Sequence, residues 1–262
     1  MNGASTLSTA ADRSVTNAIS LGANLTVNNA ANLNLSGVIS GTRALTKSGA
    51  GTLTLSGANN FGGGLIINTG KVILNTAGAA GSGTITSGVI GTGSLDTLAP
   101  TTLTNLVQLN GNLTLTGSND LTLQGKVSGF GGLVKTGSSA LTLNGANDFS
   151  GTSTLAAGSL ILQNASGLGV GQLNVTGNAA LNASGLSVGN NISVGLGRAL
   201  TLNNAGAATL GGVISGSGSL VKAGAGDLTL SGLSTYSGDT LLDTGTLILG
   251  SNSALGNGSG TL

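Results

Sequence analysis

The chain contains no cysteine, histidine, glutamate or tryptophan, and a single proline in 262 residues. Without cysteine there are no disulfides and no thiolate nucleophile. Without histidine the side chain that titrates nearest neutral pH is missing, and with it the commonest metal ligand. Aromatic residues are 2% of the chain and charged residues 6%. Any core must therefore be built from Leu, Val and Ile. The net charge of +1 leaves no electrostatic footprint for nucleic acid or an anionic membrane. No run approaches the roughly 20 apolar residues of a membrane-spanning helix. The opening MNGASTLSTAADRSV has neither a basic start nor an apolar centre, so no secretory signal is expected there.

What is present is glycine, 49 residues of it, alongside 39% hydrophobic residues. That apolar share argues against disorder, since disordered chains are poor in such residues. The arrangement is repetitive. Gly212 to Leu249, GVISGSGSLVKAGAGDLTLSGLSTYSGDTLLDTGTLIL, has counterparts starting at Gly37 and Gly125. From start to start the numbering advances by 88 and then by 87 (125 − 37 and 212 − 125). Shared columns run through the copies: Leu45, Leu133 and Leu220; Lys47, Lys135 and Lys222; Phe61, Phe149 and Tyr236; Gly70, Gly158 and Gly245. A fixed period with internal register marks a stacked repeat protein, read here as a single domain over residues 1–262 with motif copies at 37–74, 125–162 and 212–249.

Within each copy the apolar residues alternate with period two, as in Leu53-Thr54-Leu55 and Val72-Ile73-Leu74, bounded by Gly, Asn or Ser. These are short strands with one buried face, and Thr suits the pleated backbone. Leu45, Leu53, Leu55, Ile67, Val72 and Leu74, with their counterparts, are expected to point inward. No window sustains a helical period. Two-residue hairpin signals between long alternating runs are rare, which selects a solenoid over a sandwich or barrel. Echoes from Leu220 to Leu242 and from Leu228 to Leu249 suggest a coil as long as one or other of those intervals (242 − 220 and 249 − 228). Four such coils would fill one unit, and about twelve coils stacked 4.8 Å apart would make a rod on the order of 60 Å long. Copies of a column would then recur on one side of the rod, roughly 19 Å apart. Pro100 falls in the least repetitive stretch, residues 91–105, expected to be a loop or irregular coil.

The third copy carries G-x-L-x-K-x-G-x-G-x-L-x-L-S-G from Gly218 to Gly232, then Y-x-G-x-T-x-L-x-x-G-x-L-x-L from Tyr236 to Leu249. This resembles the autotransporter-associated β-strand repeat, also called the passenger-associated transport repeat. The first copy departs at Phe61 and Leu65, the second at Ser138, Ser139 and Ser153. The resemblance implies an all-β, right-handed parallel β-helix with three sheets. It also implies a bacterial type V secretion passenger, displayed at the cell surface or released, with its translocator barrel and export signals encoded outside this chain. Such repeats are associated with secretion and folding of the passenger rather than with catalysis.

Candidate chemistry is sparse. The acids are Asp12, Asp96, Asp120, Asp148, Asp227, Asp239 and Asp243. Asp227 corresponds to Ala140 and Thr52, and Asp243 to Ala156 and Asn68, so the copies share no carboxylate cluster. Asp239 and Asp243 are the one pair near enough in sequence for glycosidase chemistry to be asked of them. Ser and Thr abound, but no base stands by to activate them. The calcium nonapeptide pattern is absent, and Gly62-Gly63-Gly64 lacks the Lys-Ser/Thr of a phosphate loop. No catalytic, cofactor or metal site is assigned. The lysine column is read as strand-end residues whose stems cover apolar surface while the amines reach water or corner carbonyls. A cross-coil pair of Lys222 with Asp243 would need the shorter of the two coil lengths; the longer sets Lys222 over Thr244. Three functions remain: a structural stalk, an adhesin-type module for a host surface, a polysaccharide or self-association, and a polysaccharide-active enzyme.

Overall fold

The computed structural model describes residues 5–262, and the chain divides into two compact units, residues 1–131 and 132–262. Both are built from short parallel strands wound into a β-solenoid, about twelve turns in all. Among the described residues the one helical element is a single 3-10 turn, Ala77–Ala80. The cause lies in the sequence pattern. L-x-L triplets broken by glycine are too short for hairpins and carry no helical stripe, so each buries its apolar face only by stacking on the turn below.

In the first unit one face runs through Ser5–Thr9, Leu25–Asn29 and Leu45–Ser48, then the first parts of Leu65–Leu74 and Ile85–Thr97, then Val107–Leu109 and Val127–Gly129. A second face holds Arg13–Val15, Leu33–Leu35, Thr52–Leu55, the later parts of Leu65–Leu74 and Ile85–Thr97, and Leu113–Leu115. Those two long strands bend round a corner and so join the two faces into one sheet. The third face contains Ile19–Leu21 with Ile39–Gly41, and Thr101–Leu103 with Leu121–Leu123. Between these pairs it continues as non-strand backbone near Asn59–Phe61 and the 3-10 turn.

In the second unit the faces are cleaner. The first stacks Leu133–Lys135, Ser153–Leu155, Leu173–Val175, Ile192–Val194 and Ile214–Gly216. The second stacks Ala140–Leu143, Ser159–Leu162, Ala179–Asn182, Ala199–Asn203, Ser219–Ala223 and Thr240–Leu242. The third stacks Ser187–Val188, Ala208–Leu210, Leu228–Leu230 and Leu247–Leu249.

The inward assignment holds. Leu45, Leu53, Leu55, Ile67, Val72 and Leu74 are fully buried, as are Leu133, Leu141, Leu220, Leu228 and Leu230 to within a few per cent. Leu242 and Leu249 are about half exposed because no strand stacks on the turn that holds them.

Three expectations are corrected. The first is the turn at the echoed positions, which is shorter than either echo: Leu220 stacks on Thr240 and Leu228 on Leu247, as Leu25 stacks on Leu45 and Leu45 on Leu65. These turns advance the numbering by 20, or by 19 from Leu228 to Leu247, while others run longer, as from Ile192 to Ile214 and from Val72 to Leu95. Matching leucine to leucine slipped the register by two. That slip preserves the inward face, so the pattern itself did not expose it. Thr240 takes a buried inward place where a leucine was sought. Second, four turns advance the numbering by 82 from Leu45 to Val127 and by 81 from Val134 to Ser215, so a period of 88 or 87 leaves 6 over, the step to the next strand (88 − 82 and 87 − 81). Within the second unit the third copy therefore begins one face further round than the second. Within the second unit Leu133 and Lys135 lie on the first face and Leu220 and Lys222 on the second, so the columns do not recur on one side. Third, residues 91–105 are mostly strand. The irregularity falls just before them, between Ser87 and Thr92, where the ladder register shifts and the Ile85-to-Val107 step lengthens to 22. Pro100 sits in the gap before the strand Thr101–Leu103, where a missing N–H costs no ladder bond.

Candidate functional site

Solenoid corners leave backbone carbonyls that no neighbouring strand can satisfy, and buried carbonyls need donors. The lysine column supplies them. Lys47 is wholly buried, and its Nζ donates to the carbonyls of Ser48 at 3.0 Å, Gly49 at 2.7 Å and Thr69 at 3.3 Å. Lys222 repeats this with Ala223 at 3.0 Å, Gly224 at 2.7 Å and Thr244 at 2.9 Å. Lys135, also buried, donates to Gly137 O. The amines thus reach corner carbonyls and not water. Asp243 is not the partner of Lys222; the amine goes to the carbonyl of Thr244, and the Asp243 carboxylate accepts from the Thr244 hydroxyl. Burial pulls Lys47 down to about 8 and also lowers Lys222, where nearby Asp227 opposes the shift.

The glycine column belongs to the same corner. Gly70 and Gly245 adopt φ of +73° and +77°, and a Cβ at either would stand 2.6 or 2.8 Å from the Nζ of Lys47 or Lys222. Gly158, φ +72°, presses on the carbonyls of Ser139 and Gly137. Only glycine accepts both that backbone angle and that approach.

Asparagine performs the lysine's task at other corners, which the sequence reading missed. Asn29 Nδ2 donates to the Ala31 and Thr52 carbonyls at 2.6 and 2.8 Å; Asn204 Nδ2 donates to those of Gly206 and Asp227 at 2.7 and 3.0 Å. Asn29 precedes Lys47 by the same interval that separates Asn204 from Lys222, a spacing that was visible in the sequence.

Phe61, Phe149 and Tyr236 are buried, each beneath a glycine of the next turn, Gly81, Gly169 and Gly256. The Tyr236 hydroxyl meets the Thr240 hydroxyl at 2.6 Å. In the second unit Phe149 and Tyr236 lie on different faces, as the extra third of a turn requires: Val170 N bonds to Phe149 O, and Tyr236 N to Ile214 O. No two of these rings can share a ligand, because each is sealed inside its own corner.

Two of the exposed acids, Asp12 and Asp239, hold the backbone of the next turn. Asp12 Oδ1 accepts from Asn32 N at 2.9 Å, and Asp239 Oδ1 from the amide and hydroxyl of Thr261 at 2.8 and 2.9 Å, bonds that lower the Asp239 pKa. Asp96 is the one acid drawn well inside. Its carboxylate contacts Lys71 Nζ at 2.6 Å and accepts from Ser118 N at 3.0 Å and Ser118 Oγ at 2.6 Å. Burial pushes this carboxyl up, but Lys71 and Ser118 together outweigh it and hold it well below the usual range. The sequence offered no sign of the pair, since Lys71 and Asp96 stand far apart along the chain, on either side of a lengthened turn. No group of three or more His, Cys, Asp or Glu side chains stands close enough to hold a metal among the described residues. No helix among them is long and apolar enough to cross a membrane.

The passenger-associated transport repeat model matches at residues 45–74, 133–162 and 220–249, the segments that hold the lysine, the aromatic and the glycine of each corner. The chain carries the repeat of autotransporter passengers. It is also 36% identical to a curated protein, "Adhesin BmaC autotransporter" of Brucella suis biovar 1 (strain 1330), over 97% of this chain and 8% of that relative's length. No solved structure matches it. The repeats here build a β-solenoid, and the chain spans a small fraction of the relative it resembles.

Proposed function

We propose that the passenger stalk displays or spaces a functional region at the bacterial surface, and that it is not an enzyme. One observation carries this reading: the polar groups a β-helical enzyme would gather on a face are spent on backbone. The Lys47 and Lys222 amines cap carbonyls, Asp12 and Asp239 hold the next turn, and Asp96 is closed by Lys71 and Ser118. The leucine, lysine, aromatic and glycine columns are read as structural, and the three copies over residues 1–262 as one repeat domain. A translocator barrel beyond this chain would be its export partner, with the stalk outside the outer membrane.

The test is to place residues 1–262 between a secretion signal and a translocator barrel. An epitope in the stalk should become accessible to external protease. Leu228→Asp, which disrupts the stack, should sharply reduce display. Equal display of both forms would mean that the fold plays no part in export, and the stalk reading would fail.

The relative's description as an adhesin favours a second reading, in which the stalk also binds a host surface, a polysaccharide or another copy of itself. Cell attachment by the displayed stalk, against a barrel displaying an unrelated stalk, separates it from the first.

A further inference from the structure

In the second unit, between the turn segment at residues 164–171 and the stretch at 189–191, lies an open cavity of about 370 Å³ lined by Ser166, Val170, Gln172, Gly189, Asn190 and Asn191 among others, with no charged residue in its wall. We propose that it binds a neutral saccharide. This goes beyond the stalk reading and does not depend on it, since a stalk can carry a lateral site.

The amides of the wall are oriented by bonds that leave one half of each uncommitted. Asn191 Oδ1 accepts from Val213 N at 3.0 Å, which leaves both N–H groups of that amide to donate. Gln172 Nε2 donates to Asn174 Oδ1 at 2.9 Å, which leaves its oxygen to accept. The Ser166 hydroxyl makes no bond to another described residue and serves either way. Gly189 has open space where a side chain would stand, so a ligand can approach backbone there. Val170, 75% exposed, offers an apolar edge. Fixed donors and acceptors around one small apolar surface, without charge, suit the hydroxyls and C–H faces of an uncharged sugar.

The corner's own construction uses Asn190 and the Asn191 oxygen, not the groups left uncommitted. Asn190 Nδ2 donates to the carbonyls of Gly169 and Gly171 at 3.1 and 2.8 Å, and in the first copy Asn105 Nδ2 donates to those of Gly81 and Gly83 at 3.0 and 2.7 Å. That first corner forms with Ser82, Thr84 and Leu106 where the second has Val170, Gln172 and Asn191. The same backbone device thus carries a different outer set, and only the second set has paired amides. An extended peptide would need apolar side-chain pockets or a free strand edge, and this wall has one exposed valine.

The experiment titrates the full chain, residues 1–262, with a neutral glucan hexasaccharide, with a heparin hexasaccharide and with an extended peptide of mixed sequence, following backbone amide shifts. The neutral sugar should move Val170, Gln172 and Asn191 saturably at millimolar concentration or below. Asn191→Asp keeps the acceptor for Val213 and removes the donors, so the melting temperature should hold while affinity falls about tenfold. Gln172→Ala should weaken binding by a similar factor. No shift in the wall, undiminished binding by Asn191→Asp, or binding of the heparin or peptide alone would overturn the proposal. Each of these results leaves surface display of the stalk unaffected.

Discussion

Phe61 and Gly81 meet across successive turns: a Cβ on Gly81 would stand 2.6 Å from the Phe61 carbonyl oxygen and 2.9 Å from the tip of its ring. The same one-turn offset joins Phe149 to Gly169 and Tyr236 to Gly256. The aromatic fills the corner only because the residue above it has no side chain. This couples the aromatic column to a glycine one turn on, and it assigns the aromatics to packing.

Gly81→Ala should therefore cost both torsional strain and steric overlap, together about 2–4 kcal/mol. Gly185→Ala is the control. Gly185 also has a positive φ, +77°, but nothing lies within 4 Å of the added carbon. It should lose only about 1 kcal/mol, from the strained backbone angle. Chemical denaturation of the two variants checks this, and equal losses would show that the aromatic contact is immaterial.

Phe149→Ala should lower stability by roughly 1–4 kcal/mol through the cavity it leaves. Tyr236→Phe keeps the ring and loses only the hydroxyl contact with Thr240, so about 1 kcal/mol is expected. Neither should alter any binding to glycans or host surfaces. Loss of adhesion by Phe149→Ala with an unchanged melting curve would contradict a ring sealed in its corner.

The buried lysines set the response to alkali. Lys47 titrates at about 8 in the folded chain against 10.5 when exposed. Below pH 8 both states hold the proton and stability is level. Between about 8 and 10.5 the unfolded chain still binds the proton that the folded chain has shed, so stability rises with pH. The rise from this residue should be about 1–3 kcal/mol. Lys47→Met should flatten that part of the curve. A wild-type stability that instead fell steadily over this window would show that the carbonyl cage favours the ammonium more than burial disfavours it.

Asp96 behaves in the opposite sense. Its folded pKa is depressed, so its contribution is present above the unfolded value near 4 and is lost as pH falls through the folded one. Asp96→Asn should remove the ion pair with Lys71 and reduce the acid sensitivity of the melt. At neutral pH it should cost about 1–3 kcal/mol, because the buried site loses its charged acceptor for Ser118.

Alternation of leucine with threonine made the inward residues legible, because period two is a direct print of the pleat. The shared columns made the stacked architecture legible too. Turn length was not, because a buried inward row admits threonine as readily as leucine, and Thr240 under a leucine search moved the register by two. Nor was the destination of Lys47. The carbonyls it caps belong to Ser48, Gly49 and Thr69, and backbone acceptors leave no trace in side-chain identity. The acids showed the same limit: Asp239 drew notice for its neighbour Asp243, whereas its partner is Thr261, one turn on.

The turn length can be tested by deletion. Ser153 stacks on Leu173 in the first face of the second unit, so residues 153–172 form one complete turn. Their removal joins Thr152 to Leu173 and sets Leu173-Asn174-Val175 where Ser153-Thr154-Leu155 stood, with inward and outward positions retained. It also brings Gly189 near the place above Phe149 that Gly169 vacates. The shortened chain should fold with its strand content intact and lose no more than the stability of one stacked turn. Removing 153–173 instead, a single residue more, presents Asn174 at an inward position and flips every side chain of that strand. Burying Asn174 without partners should cost several kcal/mol, and the second unit should melt early or fail to fold. If the longer deletion were tolerated better than removal of 153–172, the length of this turn and the one-face advance within the second unit would both be wrong.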